Sequence, residues 1–237
     1  MDIWIKFGLL IIASYLVGSI PFSYIAARGR GVDLRKQGTQ QVGGGNLWRT
    51  TSRKLGFFVA IFDLFKGALM VLIAWWLGLD AGQQFAVGLG AVIGHNWPVF
   101  LRFHGGRGIA TSLGIIIILP IINIIIMNDK TITTWPLVAF FSVGFGGLAI
   151  ARRTPVPILL GLILLPVTSA IAREPLSLTM GYLAMVLILI IKRLTAQPST
   201  EKRLTGMGRL LLTRLLFDRD IRDRSAWIHR KQDAKKE

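Results

Sequence analysis

The sequence is dominated by seven apolar stretches that alternate with short polar segments. The stretches comprise residues 3–27, 55–79, 85–101, 109–127, 134–151, 155–172 and 176–191. Crossing a hydrocarbon core of about 30 Å takes roughly 20 residues of helix, and several stretches reach that length. Because 52% of the residues are hydrophobic, the chain is too apolar for an ordinary soluble domain. We therefore predict an all-α integral membrane protein with about seven transmembrane helices.

The distribution of basic residues predicts the orientation of these helices. Lysine and arginine are concentrated in the first, third and fifth loops, at Arg28, Arg30, Arg35, Lys36, Arg49, Arg53, Lys54, Arg102, Arg107, Arg152 and Arg153. The other loops hold only Lys130 and Arg173. Because cytoplasmic loops carry an excess of basic residues, we expect the amino end outside and the carboxyl end in the cytoplasm. The net charge of +16 then reflects loops that face anionic lipid, and no nucleic-acid partner is implied.

A polar, glycine-broken passage over residues 94–114 is the first candidate site. Its centre is a turn formed by Gly105, Gly106, Arg107 and Gly108. Glycines let backbone N–H groups approach an anion closely, and an arginine offers two parallel donors to a phosphate. The predicted helix that follows would add the positive end of its dipole. The alternative is a plain cytoplasmic turn in which Arg107 marks the inner membrane face.

The first loop is a second candidate site because it combines glycines with arginines. Gly38 and the run Gly43-Gly44-Gly45-Asn46 lie between Arg35 and Arg49. The predicted topology puts this loop on the same side as Arg107, so both segments could close over one phosphorylated ligand. The alternative is a flexible, positively charged loop. The Walker lysine pattern is missing, which excludes a nucleotide-binding P-loop.

Asp63 and Lys66 are charged residues inside the second apolar stretch. They lie three positions apart and therefore share one face of a helix. Because a central Asp or Lys costs roughly 2.5–3.5 kcal/mol on insertion scales, the pair is expected to face protein or water. We interpret it as a structural salt bridge that holds this helix against a neighbour. His95, near the end of the third stretch, is either a structural hydrogen-bonding residue or a catalytic base.

The composition gives no support for metal or disulfide chemistry. The chain has no cysteine, and its three histidines, His95, His104 and His229, lack the spacing of metal ligands. We therefore expect neither a metal ion nor a cofactor.

The end of the chain is polar and basic. We expect residues 1–192 to form a polytopic membrane domain and residues 193–237 to form a cytoplasmic tail. Apolar side chains recur in this tail at helical spacing, at Leu204, Met207, Leu211 and Leu215. This pattern indicates an amphipathic helix on the membrane surface, with Arg209 and Arg214 near anionic headgroups. The mixed charges of residues 218–224 are typical of a solvated face.

Several of these motifs together resemble the bacterial PlsY-type acyl-phosphate glycerol-3-phosphate acyltransferases. The resemblance covers roughly residues 11–119 and rests on residues 18–22, 63–67, 94–100 and 105–111, which read GSIPF, DLFKG, GHNWPVF and GGRGIAT. It implies a membrane enzyme with seven spans, an outside amino end and a cytoplasmic site. Such an enzyme transfers a fatty acyl group from acyl phosphate to glycerol 3-phosphate and gives lysophosphatidate, without a metal or nucleotide.

The resemblance also implies which residues bind the substrates. In the first loop and the glycine turn these are Arg35, Gly38, Thr39, Gly43, Asn46, Arg49, Gly105, Gly106, Arg107 and Gly108. Their expected role is to neutralise phosphate charge and to stabilise the oxyanion of the transition state. The departing phosphate or His95 would take the proton of the attacking hydroxyl.

Two departures from the family pattern bear on the function. Arg107 stands where the family normally has lysine, and the family's histidine and asparagine after the last span are missing. Because those two residues help to form the acceptor end of the family's site, the acyl-phosphate end is better retained. The predicted function is acyl transfer in phospholipid synthesis at the cell membrane. The alternatives are a catalytically silent homologue that binds lipid or a membrane partner, and a transporter.

Overall fold

The computed structural model describes residues 2–151, 155–195, 206–221, 223 and 227. These residues form helices and turns, and no strand occurs among them. The α-helices are α1 (Ile3–Ser19), α2 (Phe22–Arg28), α3 (Gly44–Thr50), α4 (Arg53–Trp76), α5 (Ala81–Asn96), α6 (Ile109–Pro120), α7 (Trp135–Phe140), α8 (Gly147–Ala151), α9 (Val156–Ile171), α10 (Leu176–Leu194) and α11 (Met207–Phe217). π-Helical turns at Ile121–Ile126 and Phe141–Gly146 extend α6 and join α7 to α8. Arg152 and Arg153 of the predicted fifth loop lie outside the described residues.

Seven helical regions coincide with the seven apolar stretches. Four of them are long and apolar enough to cross a membrane: Ile3–Arg28, Arg53–Trp76, Ile109–Ile126 and Leu176–Leu194. The regions Trp135–Ile150 and Val156–Ile171 are apolar but shorter, and α5 has 16 residues. The all-helical class is therefore confirmed in the described part of the chain. The count of seven crossings stays a prediction.

Capping residues set the limits of α5, which begins and ends earlier than the apolar stretch. Asp80 accepts a hydrogen bond from the Gln83 N–H at 2.9 Å, and the Gln83 side chain accepts from the Asp80 N–H at 3.1 Å. This capping box satisfies backbone donors at the start of the helix. The helix ends at Asn96 because Pro98 restricts the residue before it.

The first membrane helix is interrupted at Pro21, which lies between the end of α1 at Ser19 and the start of α2 at Phe22. Pro21 has no N–H to continue the helical pattern. The Phe22 N–H donates to the Ile20 carbonyl at 3.2 Å, whereas in an unbroken helix it would donate to the Gly18 carbonyl. The interruption therefore leaves the Gly18 carbonyl open to another donor.

Two pairs of helices pack with their backbones in contact. Between α1 and α5, a Cβ atom on Gly18 would lie 2.2 Å from the Ala91 carbonyl oxygen. Between α4 and α6, a Cβ atom on Gly114 would lie 2.0 Å from the Leu64 carbonyl oxygen. Neither position accepts a larger residue unless the helices separate, and small residues commonly mediate such contacts in membranes. Since α4 also packs on α5, these four helices form one bundle.

The largest apolar core lies between α5, α6, α9 and α10. Its fully buried side chains include Phe85, Ile115, Phe140, Leu165 and Leu178. Burial of such side chains contributes roughly 1.5–3 kcal/mol each in water, and within a membrane the same contacts act through close packing. The polar groups described below collect at one end of this bundle, where α5 and α10 end and α6 begins.

The described part of the tail docks on the end of α10. Arg214 of α11 is 4% exposed; it donates to the Leu194 carbonyl at 2.7 Å and pairs with Asp220 at 2.6 Å. Arg193 of α10 donates to the Leu215 carbonyl at 3.1 Å. A helix was predicted here, but Arg214 faces protein rather than lipid headgroups. The reason is that the last carbonyls of α10 need donors from outside their own helix.

The charged residues that follow α11 are also enclosed. Arg219 is only 9% exposed, and Asp218 contacts Arg107, 111 residues earlier in the chain. The expectation of a solvated face is therefore wrong for residues 218–220. Opposite charges on the bundle and on the tail hold this segment against the polar end of the helices.

Candidate functional site

The polar end of the bundle contains a buried ion cluster of Asp63, Lys66 and His95. Lys66 Nζ lies 3.0 Å from Asp63 Oδ1, and His95 Nδ1 lies 3.4 Å from the same oxygen. Asp63 and Lys66 are 3% and 4% exposed. The helical spacing places the first two residues on one face of α4, and packing of α4 on α5 adds His95. Mutual attraction offsets the cost of burying these charges.

Lys66 also contacts the interrupted first helix. Its Nζ donates to the Gly18 carbonyl at 3.0 Å and to the Ile20 carbonyl at 3.1 Å. An ammonium group has three donors, which match these two bonds and the pair with Asp63, and His95 Nδ1 lies 3.5 Å from the same Nζ. Lys66 therefore replaces the backbone donor that the break at Pro21 removes.

Asn46 organises the first loop. Its amide nitrogen is within hydrogen-bond distance of three backbone carbonyls. These are the carbonyls of Leu34 at 3.2 Å, Gln37 at 3.0 Å and Gln41 at 3.0 Å. Its Oδ1 accepts the Thr39 N–H at 3.0 Å. Gly38 has a φ of +58°, and a Cβ atom there would lie 2.3 Å from Asn46 Oδ1. Asn46 and Gly38 were predicted to bind substrate, whereas the contacts of both in this structure are with the loop itself.

Arg35 is engaged by an acidic neighbour rather than by the glycine segments. Its Nε and Nη2 contact the two carboxylate oxygens of Asp33 at 3.1 and 3.0 Å, and Nη2 donates to the Tyr24 hydroxyl at 3.0 Å. The hydrogen bond from Arg35 lowers the pKa of Asp33 from 3.8 to about 2, and that of Arg35 is raised in turn. A carboxylate two residues away thus takes the donors that were predicted to bind substrate.

The glycine turn, residues 105–108, is packed on the end of α5. The Gly106 N–H donates to the His95 carbonyl at 3.1 Å. A Cβ atom on Gly106 would lie 2.2 Å from His95 Nε2 and 2.7 Å from the Val42 carbonyl oxygen. Gly108 has a φ of +73° and caps the start of α6, a conformation that glycine adopts at little cost. The turn thereby brings the imidazole, the first loop and the start of α6 together.

Arg107 joins this turn to the carboxyl end of the chain. Its Nη1 donates to the Lys192 carbonyl at 3.1 Å, and its Nη2 donates to the Asp218 carbonyl at 3.2 Å. The same Nη2 lies 3.1 Å from Asp218 Oδ1. Its Nε has no hydrogen-bond partner in the described part of the structure. The predicted anion-binding guanidinium therefore already contacts a carboxylate of this chain and keeps one buried donor unused.

Two cavities meet at Arg107. The glycine cavity has a volume of about 320 Å³; its lining includes Gly43, Asn46, Arg49, Asp63, His95 and the glycine turn. The tail cavity has a volume of about 190 Å³; its lining includes Thr39, Gln40, His104, Lys192, Arg219 and Trp227. Gln41, Gly106 and Arg107 line both. The structure thus brings both predicted segments together, and Arg35 and Gly38 are in neither lining.

The walls of the two cavities differ in polarity. One side of the glycine cavity is apolar and is formed by Ala60 of α4 and by Ile109, Ala110 and Leu113 of α6. The tail cavity is lined by amide, hydroxyl and cationic side chains together with the Asp220 carboxylate and the aromatic rings of Trp97, Phe103 and Trp227. The glycine cavity therefore combines polar groups with one apolar side, whereas polar and aromatic groups are mixed in the tail cavity. Among the residues that the structure describes, no group of three or more acidic or histidine side chains is arranged to hold a metal ion.

Several residues that line these cavities had not been predicted as site residues, and four of them are charged or aromatic residues at the carboxyl end. They are Lys192 at the end of α10 and Asp218, Arg219 and Trp227 of the tail. No local motif marks Asp218, Arg219 and Trp227, because they reach the site only through the docking of the tail. A lysine at the end of an apolar stretch is also an ordinary boundary residue of a membrane helix.

Comparison with known proteins identifies relatives over nearly the whole chain. Residues 8–199 match the family described as glycerol-3-phosphate acyltransferase. Glycerol-3-phosphate acyltransferase 4 of Dehalococcoides mccartyi strain CBDB1 is 40% identical, over 98% of this chain and 97% of the relative. Two crystal structures of PlsY (YgiH), an integral membrane glycerol 3-phosphate acyltransferase, are also similar. Its glycerol 3-phosphate form aligns with a TM-score of 0.69 at 28% identity, over 88% of this chain and 94% of the other. Its lysophosphatidic acid form aligns with a TM-score of 0.64 at 26% identity, over 88% of this chain and 93% of the other.

Proposed function

The chain belongs to the glycerol-3-phosphate acyltransferase family, and from this premise we propose that its donor is an acyl phosphate bound in the glycine cavity. It is an integral membrane acyltransferase that acylates glycerol 3-phosphate in phospholipid synthesis. The observation that supports the donor is that the glycine turn with Arg107 and an apolar wall line one cavity. A phosphate held at Arg107 and Gly108 leaves the acyl chain to run along Ala110 and Leu113.

In the proposed reaction, a hydroxyl oxygen of glycerol 3-phosphate attacks the carbonyl carbon of the acyl phosphate. The new ester bond forms as the bond between that carbon and the phosphate oxygen breaks. Lysophosphatidate and inorganic phosphate are the products. Because the mixed anhydride is already activated, the protein needs mainly to position two anions and to stabilise charge on the carbonyl and leaving oxygens. Arg49, the Arg107 guanidinium and the N–H groups of Arg107 and Gly108 perform this role in the proposal, because the Gly106 N–H already donates to the His95 carbonyl.

The proton of the attacking hydroxyl has two possible acceptors, the departing phosphate and His95. His95 Nδ1 lies 3.4 Å from Asp63 Oδ1, and its Nε2 is next to Gly106 at the cavity. A carboxylate at Nδ1 favours the tautomer that leaves Nε2 free to accept a proton. His95→Gln distinguishes the two: a kcat loss of about a hundredfold with unchanged KM values assigns the proton to His95. An unchanged kcat assigns it to the phosphate.

We place this site on the cytoplasmic side of a protein with seven spans. The positive first loop and the glycine turn support this orientation, because basic loops are retained in the cytoplasm. The chain has no cysteine, so single cysteines report orientation without background. A cysteine in place of the exposed Lys36 is expected to react only with a reagent on the cytoplasmic side, and one in place of Lys130 only from outside. Labelling of both from one side would contradict the topology.

A transfer assay with purified protein tests the proposed donor. Palmitoyl phosphate and glycerol 3-phosphate should give lysophosphatidate, whereas palmitoyl coenzyme A should not replace the phosphate donor. Arg107→Ala should lower kcat/KM by about a hundredfold, and Arg107→Lys should recover much of it, because the family usually has lysine at this position. A wild-type protein that makes no lysophosphatidate would instead favour the silent homologue.

A further inference from the structure

We propose that α11 binds the surface of the bilayer through its outward apolar face and that this attachment holds the tail against the two cavities. The part of the chain that matches the family ends at residue 199, so α11 lies beyond it. The inference goes beyond the proposed reaction and does not depend on it. It needs only the membrane location of the protein.

The inward face of α11 is fixed by contacts with the end of α10. Leu210 is 2% exposed, and Arg214 donates to the Leu194 carbonyl at 2.7 Å. These two residues lie four positions apart and therefore share one side of the helix. Arg193 of α10 donates to the Leu215 carbonyl at 3.1 Å. The docked side of α11 is thus known, and the remaining sides face away from α10.

The outward face of α11 carries large apolar side chains. Met207, Leu211 and Leu212 are 59%, 36% and 56% exposed. Near the end of α10, a helix long and apolar enough to cross a membrane, Leu187 and Ile191 are 50% and 49% exposed. Contiguous apolar patches of this kind mark contacts with proteins or membranes. The outward face therefore resembles the neighbouring surface that faces lipid.

The length and position of α11 indicate lipid as the partner. The helix has 11 residues and is about 16 Å long, so it is too short to cross a hydrocarbon core of about 30 Å. It docks on the last carbonyls of α10, at the level where that helix leaves the bilayer. A helix with outward apolar side chains at this level lies in the plane of the interface. Its apolar face then continues the lipid-facing surface of α10.

Arg209 gives this surface a preference for anionic lipid. The side chain is exposed at the edge of the apolar face, and no ion pair within the described residues engages it. Arginine can extend its charged group to the headgroups while its stem covers apolar surface. A basic residue near an anionic membrane surface strengthens attachment. The net charge of +16 acts in the same direction.

Attachment of α11 affects the site because the residues that follow it enter the cavities. Asp218 lies 3.1 Å from Arg107, and Arg219 lines the tail cavity. Asp220 pairs with Arg214 on the inward face of α11 at 2.6 Å. The lipid contact on one face and the protein contacts on the other fix the same helix. Loss of the lipid contact should therefore weaken the docking of the tail.

Collision of a nitroxide label with oxygen and with a water-soluble nickel chelate tests the lipid contact. The chain has no cysteine, so Leu212→Cys can be labelled without background in nanodiscs that hold the full chain. The label should collide more with oxygen, which concentrates in lipid, as a label at Leu187→Cys on α10 does. A label at Lys36→Cys in the exposed first loop is the control and should show the reverse.

Each other result at position 212 would overturn the proposal. A label that behaves like the one at Lys36→Cys would show that the face lies in water. A label that is protected from both reagents would show that a protein surface, such as a second copy of the chain, covers the face.

The same label tests the preference for anionic lipid. The ratio of membrane-bound to free α11 should be larger in nanodiscs with about a third phosphatidylglycerol than in phosphatidylcholine alone, and Arg209→Gln should lower the ratio about fivefold. Arg173→Gln is the control, because this exposed arginine lies at the opposite end of α10. Equal ratios in the two lipids would contradict a contact between Arg209 and the headgroups.

Labelling of Leu210→Cys tests whether the lipid contact supports the docking of the tail. A cysteine at this buried position should react slowly with a water-soluble maleimide. Adding Leu212→Asp puts a charge on the outward face and should raise the rate about tenfold. Leu212→Met keeps the face apolar and should leave the rate unchanged. Thermal unfolding verifies that each variant is folded.

Two results would contradict the coupling between lipid contact and docking. If Leu210→Cys stays protected when Leu212→Asp is added, the inward contacts alone hold the tail. If Leu210→Cys reacts rapidly by itself, the inward face is not docked in the membrane. None of these measurements uses acyl transfer, so a failure of this inference is distinguishable from a failure of the proposed function.

Discussion

The glycine cavity and the tail cavity share Arg107, yet they are built in different ways. The glycine cavity rests on the helix bundle, because Asp63 of α4, His95 of α5 and the first turns of α6 line it. The tail cavity is assembled from side chains that are far apart in the sequence and closed by a docked segment. The glycine cavity is therefore formed mainly by the helix bundle, whereas the tail cavity depends on the docking of the tail.

This difference predicts where a substitution acts. A change in the bundle alters close helix contacts and buried charges, so it affects folding before it affects binding. A change in the tail cavity alters contacts at the surface of an intact bundle, so it affects binding before it affects folding. The following four predictions test this division, from the largest expected effect to the smallest.

The largest effect is expected for Asp63→Ala. The substitution leaves Lys66 buried without its carboxylate, which typically costs about 3–5 kcal/mol. The amount of folded protein in the membrane should fall sharply, as measured by fluorescence-detected size exclusion. The variant Asp63→Asn keeps an amide oxygen for Lys66 Nζ while it removes the negative charge, so it should lose less folded protein than Asp63→Ala. A single variant that accumulates normally and loses only activity would show that the ion cluster serves catalysis rather than folding.

Gly106→Val is expected to reduce activity by about a hundredfold, the typical cost of misplacing reacting groups by about 1 Å. The new Cβ atom would lie 2.2 Å from His95 Nε2, so the turn has to move away from the imidazole. The KM for palmitoyl phosphate should rise, because Gly106 lines the glycine cavity. The control is Gly8→Val, since a Cβ atom on Gly8 has no neighbour within 4 Å. If Gly106→Val retains wild-type kinetics, the turn does not form the proposed donor site.

Asp218→Ala tests whether the tail competes with the donor for Arg107. The carboxylate lies 3.1 Å from the guanidinium, so its removal should lower the KM for palmitoyl phosphate roughly fivefold, which corresponds to about 1 kcal/mol. Asp220→Ala is the matched control, because it breaks the pair with Arg214 and leaves Arg107 paired. A higher KM for palmitoyl phosphate in the first variant would mean that the carboxylate positions Arg107 for the donor.

The smallest effect is expected for Arg35→Gln, which lies outside both cavities. The Arg35 side chain is 34% exposed, so its pair with Asp33 should contribute less than about 1 kcal/mol. Because the pKa of Asp33 is lowered from 3.8 to about 2, this contribution is present above pH 3.8 and is lost as the pH falls towards 2. The difference in melting temperature between pH 7 and low pH should be smaller for the variant than for the wild type. A large loss of activity would show that Arg35 contributes to substrate binding, as the sequence predicted.

The sequence predicted the helical class, the helix positions and the glycine turn, because each depends on a local pattern. Apolar length predicts a membrane helix, and the spacing of Asp63 and Lys66 predicts a shared helix face. The proximity of the first loop to the glycine turn was predicted from the positive charge of both loops, which places them on the same side of the membrane. These features could be predicted because they depend on residues that are close in the sequence or on loops that lie on the same side of the membrane.

The remaining features depend on contacts that no local pattern encodes. Arg35 matches a family position, but the competing Asp33 decides its contacts. Asp218 reaches Arg107 across 111 residues, so charge spacing within the tail suggests only a solvated face. Lys192 ends an apolar helix and looks like a boundary residue until the first loop and the tail enclose it. In each case tertiary packing overrides the local interpretation.

The break at Pro21 also has a consequence for how the nascent chain enters the membrane. The Gly18 carbonyl accepts its hydrogen bond from Lys66, a residue made 48 positions later. Without that donor, an unsatisfied carbonyl in hydrocarbon costs several kcal/mol, and Lys66 alone is equally unfavourable there. Each segment is therefore expected to be more stable in the membrane once the other is present. We expect α1 to pack on α4 only after α4 has been synthesised, 48 or more residues later.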